Sequence, residues 1–203
     1  MTRKNSGLTL VELMIALLVS SLLLGALYQT FVGQQKAYAV QEQVADTQQN
    51  ARAALDQMIG EIRMTGYRKN ILASLGNING FTQLVTPVNN ANYAGHNDDQ
   101  VTIIIADKAI TYKLQPDSRG PVLIRDENTG AGGELMAENV ENLQFRYTLS
   151  DGTVTDSPAN PGTIRMVQVT VTARTKMTDP DLGGDGYLRR ELTTLIQLRN
   201  FGL

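Results

Sequence analysis

The pattern of apolar and polar positions divides the chain into three textures. Residues 1–7 are polar and carry Arg3 and Lys4. A nearly unbroken apolar run then extends from Leu8 to about Val32. About 20 such residues suffice for a helix to cross the hydrocarbon core of a membrane. From Gln34 to Met64 the chain turns polar, yet Val40, Val44, Ala51, Leu55, Met58 and Ile62 recur at spacings of three, four or seven. That spacing predicts an amphipathic helix, with Glu42, Asp46, Gln49, Asp56 and Arg63 mainly off its apolar stripe. No proline occurs before Pro87. One continuous helix is therefore expected from about Leu8 to Thr65, with Gly66 as its stop. The stripe packs either on the protein's own sheet or on a coiled-coil partner.

Beyond Tyr67 glycine, asparagine and proline accumulate between short β-prone runs. Strands are predicted at 100–106, 109–114, 122–126, 143–149, 165–176 and 189–199. Within the fifth run Val167, Val169, Val171 and Ala173 alternate with Gln168, Thr170 and Thr172, as in a strand buried on one face. Asp107-Lys108 reads as a tight hairpin turn, 130–133 and 157–162 as loops, and Glu134 to Asn142 as a short helical turn. The expected fold class is α+β, a long N-terminal helix packed on an antiparallel sheet. The expected organisation is a leader (1–7), a membrane helix (8–32), an amphipathic helix (33–66) and a β-rich domain (67–203).

Composition narrows the chemistry. The 203 residues include no cysteine, which excludes disulfides, zinc thiolates and cysteine nucleophiles. A single histidine, His96, leaves little scope for histidine catalysis. The formal net charge of −2 gives no electrostatic footprint for nucleic acid, so none is expected as a partner. Arg3 and Lys4 place the leader on the cytoplasmic side and the rest of the chain outside. The apolar run is too long for a common secretory signal and no A-x-A pattern closes it.

Glu12 is the anomaly, a carboxylate inside an apolar run. Near the end of a spanning segment it reaches the interface, which is one reading. The residues around it give another. Ser6-Gly7-Leu8-Thr9-Leu10-Val11-Glu12 resembles the processing signal of type IV prepilins. The family pattern is Gly, an apolar residue (usually Phe, here Leu8), Thr, two aliphatics and Glu, heading an apolar helix. Further segments resemble the PilW-type minor pilins and the related J-type minor pseudopilin of type II secretion. These are 62–67, 135–147, 164–169 and 198–200.

The resemblance implies a pilin fold, cleavage between Gly7 and Leu8 by a prepilin peptidase, and N-methylation of Leu8. It implies that Glu12 meets the terminal amine of a neighbouring subunit during filament assembly. The implied partners are other pilins and minor pilins, the inner-membrane assembly platform, and membrane lipid before assembly. The implied location is the inner membrane and then the pilus at the cell surface. The function expected is that of a structural minor pilin. A type II secretion pseudopilin is the alternative, and a periplasmic binding domain on an uncleaved anchor is a third reading from another class. Family pilins usually carry a proline in the apolar half of this helix, and this chain does not.

Two polar clusters offer candidate chemistry. Asp179, Asp181 and Asp185 could hold calcium through oxygen ligands, or form a solvated hairpin loop; the run lacks the spacing of an EF-hand. Asn97-Asp98-Asp99 beside His96 could be drawn as a metal site, or as an exposed polar turn. Neither couples a nucleophile to a base, so no resident cofactor and no enzyme activity are expected.

Overall fold

The structure is a computed structural model that describes residues 9–67, 78, 80, 81, 83–90, 98–118, 120–180 and 182–200. Its first element is a 54-residue helix, α1 (Leu10–Arg63). The chain separates into two compact units, Met1–Glu42 and Gln43–Leu203, and α1 runs through the boundary.

In the second unit nine strands follow α1 among the described residues. They are β1 (Val85–Val88), β2 (Gln100–Ile105), β3 (Lys108–Asp117), β4 (Gly120–Asp126), β5 (Glu134–Glu138), β6 (Val140–Leu149), β7 (Val154–Thr155), β8 (Ile164–Arg174) and β9 (Arg189–Gln197). They form two antiparallel sheets where the sequence suggests one. The first runs β1-β2-β3-β4-β5 and the second β7-β6-β8-β9. One core joins them. It takes Ala51, Ala54, Leu55, Met58 and Ile62 from α1, residues such as Ile103, Tyr112 and Leu123 from the first sheet, and Phe145, Val169 and Ile196 from the second. The stripe of α1 thus packs on the protein's own sheets, with Ala54 added and Val44 only half-buried.

All six predicted strands are present, with their ends adjusted. Three are additional. β1 contains Pro87 and lies at a sheet edge, the place where a strand tolerates the missing N–H. β5 and the start of β6 replace the helical turn expected at Glu134 to Asn142. Asn139, at φ 57°, is the single residue between them and marks the bend where the chain leaves the first sheet for the second, and Ala137 is buried opposite Leu123. Asparagine tolerates the left-handed region better than most residues, and that permits the bend. The hairpin expected at Asp107-Lys108 sits one residue earlier. Ala106 takes φ 55°, and Lys108 already pairs with Ile105.

α1 ends as its sequence suggests. After Arg63 the chain makes one more turn to Gly66, at φ +80°. The Gly66 N–H then donates to the carbonyl of Ile104 at 2.9 Å, tying the end of the helix to β2. Glycine adopts this conformation without the Cβ clash that opposes it elsewhere.

The gap between the sheets is closed by two buried carboxylates. Asp98 Oδ1 accepts from the Leu143 N–H at 3.2 Å, and Asp99 Oδ2 from the Phe145 N–H at 2.8 Å. The Asp99 N–H donates to the Leu143 carbonyl at 2.9 Å, and its Oδ1 accepts from the Asn90 N–H. These bonds satisfy the stretch of β6 that the two-residue β7 does not reach.

Candidate functional site

The first turn of α1 carries the site. Thr9 stands immediately before the helix and Glu12 at its third position. The Thr9 N–H and the Thr9 hydroxyl both donate to Glu12 Oε2 at 2.9 Å. The Glu12 N–H donates back to Thr9 Oγ1 at 3.3 Å. This reciprocal arrangement is a capping box, which satisfies two backbone donors that a helix start otherwise leaves orphaned. The Thr-x-x-Glu spacing is itself a sequence mark of a helix start. The carboxylate also lies at the positive end of the helix dipole, where an anion is favoured.

Behind the cap the helix surface is apolar and uncovered. Leu10, Leu17, Leu22, Leu24, Leu27 and Phe31 are each more than half exposed, Leu10 reaching 75%. A water-soluble protein rarely presents so continuous an apolar surface, because each such side chain forfeits its burial free energy. Two hydroxyls within this stretch are satisfied inside the helix. Ser21 donates to the Leu18 carbonyl at 2.8 Å and Thr30 to the Ala26 carbonyl at 3.0 Å. Such self-contained polarity suits hydrocarbon, where no water completes a hydrogen bond. By length and composition α1 is able to cross a membrane.

Gly7 and Leu8 lie outside the described residues. So do Asp181, His96 and Asn97. Of the proposed calcium ligands, Asp185 has both oxygens taken by Arg189, which also grips Glu141. The Arg189 bond, followed by the Tyr187 N–H, holds the Asp185 carboxyl well below its ordinary range. Asp179 joins the loop through its backbone, its N–H donating to the Gly186 carbonyl at 2.7 Å. Among the described residues no three His, Cys, Asp or Glu side chains gather as a metal-holding group. Asp98 and Asp99, expected in an exposed turn, are buried between the sheets instead.

Residues 2–28 match the family model described as the prokaryotic N-terminal methylation motif. No curated protein matches the chain. Among solved structures the chain is similar to a type IV-like pilin from Thermus thermophilus. The two share 13% identity at a TM-score of 0.47, over 78% of this chain and 98% of that one.

Proposed function

We propose that this chain is a structural subunit of a type IV pilus, made as a prepilin and incorporated as a minor pilin. One coincidence carries the reading. A methylation motif over residues 2–28 heads a helix whose apolar side chains stand exposed among the described residues. Cleavage between Gly7 and Leu8 frees an amine about one helical turn from Glu12, and methylation caps it. Lipid covers the helix before assembly and sister helices cover it afterwards, packing by close contact within an apolar medium. Glu12 is then placed to answer the terminal amine of a neighbour, because a carboxylate among apolar helices needs an opposite charge. The peptidase, the assembly platform and other pilins are the partners this route requires. The protein moves from the inner membrane, with its sheets on the periplasmic side, to the cell surface.

Mass spectrometry of the native N-terminus tests this reading. The expected peptide begins at Leu8 and carries one methyl group. An intact Met1 in cells with active prepilin peptidase would falsify the reading and leave an uncleaved anchor. Deleting the gene is expected to reduce surface fibres. A processed chain whose deletion leaves surface fibres unchanged belongs to a filament other than the pilus, such as that of type II secretion.

A further inference from the structure

Among the described residues the second sheet has an open edge. β9 is its outermost strand there and pairs only with β8. At one end the Leu198 N–H donates to the Arg165 carbonyl at 3.0 Å, and at the other the Thr175 N–H donates to the Leu188 carbonyl at 2.9 Å. Both bonds lie in the β8–β9 register, and hydrogen-bonded pairs alternate along an antiparallel ladder. The even-numbered residues of β9 therefore bond to β8. Arg189, Glu191, Thr193, Leu195 and Gln197 turn their N–H and C=O groups outward, and among the described residues no backbone group meets them.

Proteins usually blunt such an edge with charge, proline, irregularity or shortness. The other outer strands are blunted. β7 has two residues, β1 has four including Pro87, and β5 has five with an irregular register against β4. β9 has nine residues in unbroken register and no proline. Its charges are confined to residues 189–191, so Leu192 to Gln197 is neutral and β-prone. Leu195 is 57% exposed.

We propose that β9 docks an extended strand from a different filament subunit, neutral opposite Leu192–Gln197 and carrying a carboxylate opposite Arg190. A row of outward backbone donors and acceptors is matched only by extended backbone, which defines the occupant's form. A second copy of this chain fits less well. Its other edges are too short to cover nine residues. Two β9 strands side by side would run antiparallel, with opposite residues sharing a face, so even positions meet even positions. Arg190 has no ion pair among the described residues, and in such a pair it could never face Glu191. Only a different strand supplies the carboxylate. The inference rests on the filament reading for the identity of the partner class.

The test uses the full chain in its own cells, with the photo-crosslinker p-benzoyl-L-phenylalanine at Leu195 or, separately, at Leu17. The expected adduct at Leu195 joins one segment of one other subunit. It falls at least tenfold when Thr193→Pro is added, because that change deletes an outward N–H and leaves the β8 ladder whole. The melting temperature of the Thr193→Pro chain should stay within about 3 °C of the parent, on the scale of a small surface perturbation. If it does not, Gln197→Pro asks the same question at the strand's end. An adduct with β9 of another copy, or one untouched by proline, overturns the proposal. So does silence at Leu195 while Leu17 still joins pilins, which leaves the filament reading standing. Silence at both positions with an uncut N-terminus removes both readings.

Discussion

Arg125 Nε donates to both carboxylate oxygens of Glu61, each at 3.0 Å, and so ties the last turns of α1 to β4. The Tyr112 hydroxyl donates to the same carboxylate. Burial first, and the bond to Glu61 next, hold that phenol far above its ordinary range. Arg125 is 11% exposed and retains Glu127 at 3.0 Å. Glu61→Gln keeps the shape of the side chain but removes its charge, and one of its oxygens becomes a donor. The expected cost is about 1–3 kcal/mol, the range for leaving buried donors poorly met. Urea denaturation of the full chain in detergent measures it. A midpoint unchanged from the parent would show that the helix is held by apolar packing alone.

The same substitution at two glycines of this region should act in opposite directions. Gly60 lies inside α1, exposed, with nothing within 4 Å of a Cβ built on it. Gly60→Ala is expected to stabilise by about 0.5–1 kcal/mol, by reducing the freedom of the unfolded chain. Gly66 sits at φ +80°, and its Cβ would come within 3.3 Å of the Asn200 carbonyl oxygen and of Leu84 Cδ1. Gly66→Ala is expected to destabilise by about 1–2 kcal/mol, the cost of a left-handed conformation for an L-residue. Melting temperatures of the two variants read both signs in one experiment. Two shifts of the same sign would contradict the geometry of the helix stop.

How much was legible in the sequence depended on the range of the interaction. Gly66, the stripe from Ala51 to Ile62 and the alternation through β8 are local, and periodicity or one special residue announces each. The split into two sheets is not local. Phe145 pairs with Val169, and which strand meets which is decided by the joint packing of distant segments. Asp98 and Asp99 show the same limit. Two aspartates ahead of an apolar strand look like a solvated turn, and only the stretch of β6 that β7 does not pair, far along the chain, gives them donors to accept from. At the candidate site the spacing of Thr9 and Glu12 was fully visible. Its double use, as helix cap and as charge, emerged only when the hydroxyl and the carboxylate were placed together.

Burial pushes the Asp99 carboxyl above its ordinary value; the Phe145 and Asn90 N–H groups oppose this and Asp156 adds to it. The folded state therefore holds a proton more tightly at Asp99 than the unfolded chain does. Between the unfolded value of about 3.9 and the higher folded one, the folded state binds more protons. The contribution of Asp99 to stability must fall as pH rises through that window and then level off. Asp99→Asn cannot titrate, and it places an amide N–H against a backbone N–H. It should be less stable than the parent, with the gap widest at low pH and narrowing upward. Urea midpoints of parent and variant from pH 3.5 to 7 test the sign, since shared titrations cancel in the difference. A gap that widens with pH would mean the carboxyl is held charged by its N–H partners and not neutralised by burial.

The capping box gives Thr9 and Glu12 separable roles, and two substitutions tell them apart. Thr9→Ala removes the hydroxyl that Glu12 both accepts from and donates to, while the carboxylate stays. Losing such a cap costs about 1 kcal/mol, and the effect is confined to the first turn. Faster amide exchange over residues 10–13 in detergent is expected, with incorporation into fibres reduced only a few-fold. Glu12→Gln keeps an oxygen for the Thr9 N–H, so the first turn should hold. The negative charge is lost, however, and with it any answer to a neighbour's terminal amine. Membrane insertion and processing at Gly7 should persist, while the fraction recovered in sheared fibres falls at least tenfold. Immunoblots of the membrane and fibre fractions read both variants side by side. Should Thr9→Ala cost more fibre incorporation than Glu12→Gln, the carboxylate matters as a helix cap, and the charge pairing proposed for assembly has to be abandoned.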